Sequence, residues 1–201
     1  MAILPDDESL TERGAELSGR GRVLLIACGA LAREILAVTR ANGWDHLDLA
    51  CLPAKLHNVP DRIPEAVRAR IRRARGQGYE AVHVVYADCG TGGLLDRVCA
   101  EEGVERIEGP HCYSFFDGNE AFAARTGDEI GAFYLTDFLA RQFDALVWRG
   151  LGLDRHPDLL SMYFGHYDRV VYLAQTDDPA LAAKAREAAE RLGLGYEMRR
   201  T

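Results

Sequence analysis

Apolar and polar positions alternate between two periods along this chain. Short runs of consecutive apolar residues, VLLIA at 23–27, LDLACL at 47–52, VHVV at 82–85 and VVYLA at 170–174, read as strands buried on both faces. Between them lie stretches with apolar residues three and four apart. Over 31–42, Leu31, Ile35, Leu36 and Val38 mark one face of a helix that Gly43 ends. Further helices are predicted from Pro64 to about 75, over 94–102, over 157–163 and over 179–192, with Pro64 and Pro179 suited to a first turn. Residues 104–108 and 196–199 read as two further strands, and 115–131 as loop and helix. Residues 133–148 read as the longest amphipathic helix, with Phe133, Leu135, Phe138, Leu139, Phe143, Leu146 and Val147 on a wide apolar face.

The resulting order is β-α-β-α-β-α-β-α-α-β-α-β. It predicts an α/β fold with a largely parallel sheet and helices on both faces, a Rossmann-like three-layer sandwich. Residues 1–20 are read as a polar N-terminal arm or short helix, and 21–201 as a single α/β domain. At 201 residues and 48% apolar, the chain suffices for one substantial core and is short for two independent ones.

The net charge of −7 argues against a general nucleic-acid surface, because phosphate binding needs a basic field. The exception is the arginine-rich helix at 62–75, read as a solvated face. No run approaches the ~20 apolar residues that span a bilayer, and the acidic start MAILPDDESL lacks the order of a secretory signal. A cytoplasmic protein with no membrane contact is expected. Five cysteines without a CxxC pair suit a reducing compartment.

Three of those cysteines share one setting. Cys28, Cys89 and Cys112 each follow a predicted strand, at ACG, ADCGTGG and GPHC. Parallel strands deliver their ends to one edge, where three thiolates can converge on one ion or cluster. Helix N-termini after Cys28 and Cys89 favour the ligating thiolate. Cys28, Cys89 and Cys112 are therefore the candidate metal ligands, for zinc with an open fourth position or for an iron–sulfur cluster with one exposed iron. His57 and His111 are candidate fourth ligands or acid–base groups, and Asp88 and Glu34 candidate orienting or proton-moving groups. The loop Gly90, Thr91, Gly92, Gly93 is the candidate receiver of an anionic group of a small substrate on its backbone N–H groups. The plain alternative is that these cysteines are small buried hydrophobes, the reading preferred for Cys51 and Cys99. His46 and His83 are read as structural, and His156 and His166 as capping groups.

Other site types lack their residues. A phosphatase loop needs arginine six positions after its cysteine, where Leu95 and Gly118 stand. A dinucleotide fingerprint would need glycine at Leu95. GxxxxGK[ST], HExxH and GxSxG are absent. Two further readings are a non-catalytic metallochaperone or accessory, with the aromatics of 133–148 as a partner surface, and a metal-free enzyme with Cys89 as nucleophile and His111 as base. The long apolar helix would also suit a homodimer.

The segments ACGALAREI, LPAKLHNVPDRIP, YADCGTGGLLD, GPHCYSFFDGNEAF, GAFYLTDFLARQFD, GLGLDRHPDLL and YLAQTDDP together resemble the bacterial branch of the uncharacterised DUF1638 family, over nearly the whole chain from about residue 22. The resemblance implies an association with corrinoid-dependent methyltransferase genes. It thus implies a small-molecule reaction in one-carbon or corrinoid-linked methyl metabolism, a methyltransferase system as partner, and corrinoid reached through that partner. It supplies no catalytic residues. Relatives are expected to continue with a short glycine-containing tail, so a trimmed C-terminus is also expected.

Overall fold

The computed structural model describes residues 4–19 and 21–201. The chain folds as two compact units, Met1–Cys112 and Tyr113–Thr201.

The first unit opens with helix α1 (Asp7–Glu12), whose N-cap Asp6 accepts from the amide of Ser9 at 2.7 Å. A short strand β1 (Ala15–Leu17) follows. The segment read as a polar arm thus contributes a helix and an edge strand. Then come β2 (Val23–Cys28), α2 (Ala32–Ala41), β3 (Leu47–Leu52), α3 (Ile63–Arg75), β4 (Ala81–Val85), α4 (Leu94–Glu101) and β5 (Glu105–Arg106). The sheet order is β1-β3-β2-β4-β5, parallel throughout except that β1 runs antiparallel to β3, with Ala15 opposite Cys51. Leu24, Ile26, Leu49, Ala50 and Val84 of the strands are buried, as are Ile63, Val67 and Ile71 of α3 and Leu95 and Val98 of α4. Burying the leucine, isoleucine and valine side chains among them contributes about 1.5–3 kcal/mol each.

The strand order determines where a ligand can enter. From the central strand β2 the chain crosses to β3 on one side and returns through α3 to β4 on the other. The loops that leave β2 and β4 therefore diverge, which opens a crevice beyond their carboxyl ends. Cys28 ends β2, and Tyr86 to Cys89 continue from β4.

Arg72, Arg73 and Arg75 of α3 are exposed, as expected of a solvated face, and the arginines of this helix are ion-paired on both sides. Glu102 accepts from Arg68, Arg72 and Arg75 at 3.2, 2.9 and 2.7 Å. Glu16 of β1 takes Arg73 at 2.8 Å and Arg70 at 3.7 Å, and Arg70 is buried. These ion pairs bind α3 to α4 and to the edge strand.

The second unit holds α5 (Ser114–Asp117), α6 (Asn119–Arg125), β6 (Ala132–Thr136), α7 (Asp137–Arg141), α8 (Leu159–Phe164), β7 (Arg169–Ala174), α9 (Pro179–Leu192) and β8 (Gly195–Arg200). Its sheet is parallel, in the order β6-β7-β8. The strands thus form two sheets where the sequence reading expected one. Residues 133–148 are not one long helix: they form β6, α7 and a π-helical turn, Asp144–Trp148. AFYLT is rich in aromatic residues and pairs with β7, while Thr136 begins the helix by accepting from the amide of Leu139 at 3.3 Å. Asp137 is buried and holds the strand ends together, accepting from Tyr172 and Thr176 hydroxyls at 2.6 Å each and from the amide of Gln175 at 3.2 Å. Phe138, Phe143, Leu146 and Val147 are buried, so these side chains pack into the protein and do not form a free partner surface.

Among the described residues, no helix is long and apolar enough to cross a membrane.

Candidate metal centre

Pairing beyond the ends of β4 and β5 brings two cysteines together. Ile107 donates its amide to Val84 at 2.9 Å, Asp88 to Gly109 at 3.0 Å and Cys89 to Pro110 at 3.3 Å. The two loops therefore run side by side past the sheet edge. Cys89 and Cys112, 23 positions apart, become neighbours whose sulfurs lie within 4.8 Å of each other. Cys89 has φ 49°, the left-handed region, where an L side chain costs roughly 1–2 kcal/mol. That backbone is held from both sides, by the bond to Pro110 and by the loop that follows.

The loop is braced by Asp88. Its carboxylate accepts from the Thr91 hydroxyl at 2.8 Å and from the amides of Gly92 and Gly93 at 3.1 and 2.8 Å. Burial pushes the Asp88 carboxyl up, but these bonds prevail and hold it below its ordinary range. Asp88 is therefore a fixed anion inside the turn. The Gly92 and Gly93 amides, expected to face a substrate, are engaged by this carboxylate, and the Thr91 amide donates to the Asp88 carbonyl at 3.0 Å.

His57 enters from the other side of the crevice. It lies in a 3-10 turn, Ala54–Asn58, that directly follows β3 and Pro53. Its Nδ1 is 3.3 Å from the Ala54 carbonyl and 3.6 Å from Cys28 Sγ. A carbonyl only accepts, so this contact places the proton of the neutral ring on Nδ1 and leaves the lone pair on Nε2. Nε2 is buried and has no hydrogen-bond partner. Ligand atoms of His57, Cys89 and Cys112 all lie within 4.8 Å of one another.

Cys28 sits behind this trio, beside the imidazole. Its Sγ accepts from the Ala30 amide at 3.4 Å. The turn is tight here: a Cβ at Gly29 would come within 2.4 Å of the Leu10 carbonyl oxygen of α1. His111 is half-buried with Nδ1 3.5 Å from Cys112 Sγ, and its ring lies 6.4 Å from that of His57. Glu34 lies in the first turn of α2, half-buried and outside the trio.

The sequence reading passed over Tyr86. It is fully buried, its ring stacks on His57 at 13° with centroids 6.2 Å apart, and its hydroxyl has no hydrogen-bond partner. The available signal was a hydroxyl-bearing aromatic that continues an apolar strand into the cysteine turn.

The charges within the group are set by proximity. Proximity to the Cys112 thiol, and after it to the His57 imidazole, outweighs burial and depresses the Cys89 thiol to about 4. Cys112, beside Cys89 and itself buried, is pushed far up. The two thiols thus titrate as a pair, with Cys89 the more acidic member. Burial alone would lower His57, but the charges and hydrogen bonds of Cys28 and Cys89 outweigh it and raise it. Burial lowers His111 and raises Tyr86. Two sulfurs and one imidazole nitrogen form a borderline-soft donor set suited to zinc and its neighbours in the first transition row.

The sheet edge and its thiol–imidazole group define an α/β protein with a candidate metal-binding centre. The chain belongs to the family described as "Protein of unknown function (DUF1638)", which residues 51–201 match. His57, Cys89 and Cys112 fall inside the matched segment, and Cys28 precedes it. Comparison with the curated proteins and with the solved structures gave no match.

Proposed function

We propose that the protein binds a single transition-metal ion, zinc foremost, through Cys89, Cys112 and Nε2 of His57, and uses an open fourth position to hold a small substrate. The observation that carries this reading is the clustering of the three ligand atoms within 4.8 Å, with Nε2 buried and without a partner. A tetrahedral zinc with bonds of about 2.3 Å to sulfur and 2.0–2.1 Å to nitrogen needs ligand atoms roughly 3.6–3.8 Å apart, a short step from this arrangement. A [4Fe–4S] cluster binds each of its cysteines on a separate iron and needs them further apart, so the spacing favours one ion over such a cluster. Cys28, expected as a ligand, acts here through His57: its sulfur and the Ala54 carbonyl orient the ring from Nδ1.

Zinc in such a site lowers the pKa of a bound water or thiol. Bound as thiolate, a small thiol would be a nucleophile for a methyl group, forming the S–CH₃ bond as the methyl's bond to its donor breaks and leaves its electron pair on that donor. That step fits the one-carbon, corrinoid-linked methyl metabolism implied by the family resemblance, with the methyl donor on a partner protein. His111 at the mouth would take the proton released, and Glu34 and Asp88 would shape the surroundings. The same donor set without turnover describes a metallochaperone, the accessory alternative.

Metal content of protein purified without oxygen and without a histidine tag tests the assignment. About one ion per chain is expected, falling to near zero in C89A and H57A with an unchanged circular dichroism spectrum. Full metal content in C89A overturns it.

The metal-free reading is favoured by a different observation, the depressed Cys89 thiol in a strained turn. It predicts rapid, selective alkylation of Cys89 in metal-free protein. Slow labelling shared by all five cysteines would remove it.

A further inference from the structure

A second cleft lies in the first unit, between the edge strand β1, the end of β3 and helix α3. It encloses about 400 Å³, a size typical of small-molecule sites. Its apolar lining is Ala15, Ala50, Ala66 and Ala69 with Cys51, Leu52 and Pro53. Gly14 forms part of the wall at φ +75°. A Cβ at this position would come within 2.0 Å of the Cys51 carbonyl oxygen, so the approach of this turn to β3 requires glycine.

The polar lining is one-sided. Arg13, Arg70 and Arg73 face a single carboxylate, Glu16. Arg73 uses that carboxylate in two contacts, at 2.8 and 3.2 Å. Arg13 donates to the Ser9 hydroxyl at 2.6 Å. Arg70 is only 7% exposed. Its Nη1 donates to Gln77 at 3.1 Å, while its buried Nε has no hydrogen-bond partner and lies 3.7 Å from Glu16. A buried guanidinium with an unused donor is costly unless an acceptor arrives. A cationic recess in a chain of net charge −7 is also a local attractor for anions.

We propose that this cleft binds a small organic oxyanion, a carboxylate or phosphate monoester on a short apolar body. The anionic group would lie between Arg70 Nε and the Arg13 guanidinium, and the body against Ala50, Ala66 and Ala69. The proposal stands on residues separate from the thiol–imidazole centre and does not depend on a metal there. The wall at 50–53 leads directly into the turn that carries His57, so an occupant would stiffen the segment that positions the imidazole.

Calorimetric titration of the full chain with benzoate, phenyl phosphate and inorganic phosphate, at constant ionic strength, tests this. Saturable binding of benzoate or phenyl phosphate is expected, tighter than that of inorganic phosphate because of the apolar wall. The tighter of the two identifies the headgroup class. R13Q should weaken binding about tenfold, the scale of one charge-assisted hydrogen bond, and R70M should abolish it. Arg13 is exposed, so R13Q keeps the test decisive even if R70M fails to fold. C89A should bind as the wild type does, which separates this site from the metal centre. The proposal is overturned if no probe binds saturably up to about 10 mM, or if R13Q binds as tightly as wild type.

Discussion

Cys28 Sγ lies 3.6 Å from Nδ1 of His57, the ring nitrogen that also meets the Ala54 carbonyl, while Nε2 remains buried without a partner. The imidazole is therefore held from one nitrogen and left with the other for a ligand. In the proposed metal centre Cys28 orients the ring and Cys89 and Cys112 supply the sulfur.

The three cysteines should accordingly differ in kind. C28S should retain full metal stoichiometry with affinity lowered about 10–100-fold, the usual effect of losing a partner of a ligating histidine. C89S and C112S should lose the ion. Competition with a chromophoric chelator measures all three. Equal loss of stoichiometry in C28S would make Cys28 a ligand and sink the division of roles.

Much of the first sheet was legible because consecutive apolar residues leave few alternatives: 23–27, 47–52 and 82–85 correspond to β2, β3 and β4 within a residue or two. The two-sheet division was not, since AFYLT and the following apolar positions fit both a helical stripe and a strand with a capped helix behind it. Thr136–Asp137 was the discriminating pair. At the site, the shared edge of Cys28, Cys89 and Cys112 followed from parallel strands. His57's place in the trio could not follow from spacing, because it depends on how a proline-rich turn folds back after β3.

The left-handed backbone at Cys89 separates side-chain loss from backbone strain. Alanine keeps the unfavourable φ of 49°, whereas glycine relieves it. In metal-free protein C89G should therefore be more stable than C89A by about 1 kcal/mol, read from urea unfolding. Lower stability of C89G would mean that the turn is not strained in the folded protein.

Glu102 gives the first unit an acid-sensitive joint. The hydrogen bond from Arg72, together with those from Arg68 and Arg75, overcomes burial and holds its carboxyl below the ordinary 4.5. A depressed carboxyl contributes stability above its unfolded pKa and loses that contribution as pH falls through the folded value. E102Q should therefore melt below wild type near neutral pH, and the gap should close below about pH 4. Melting curves across that range decide it, because a gap independent of pH would assign the loss to packing alone.

Tyr86 carries the sharpest change of sign. Its hydroxyl is buried, beside the thiols, and without a partner, and such a group costs about 1–3 kcal/mol relative to the same ring without it. Y86F should thus raise the stability of metal-free protein by roughly that amount, while the stack on His57 survives because the ring is unchanged. With zinc present the hydroxyl faces a charged, ligated centre to which it can donate. Y86F should then weaken zinc binding several-fold, so the same substitution stabilises the empty protein and destabilises the loaded one. Unfolding measured with and without zinc reads both effects. A shift of the same sign in the two states would show that the hydroxyl does not serve the centre, and that Tyr86 contributes only its ring.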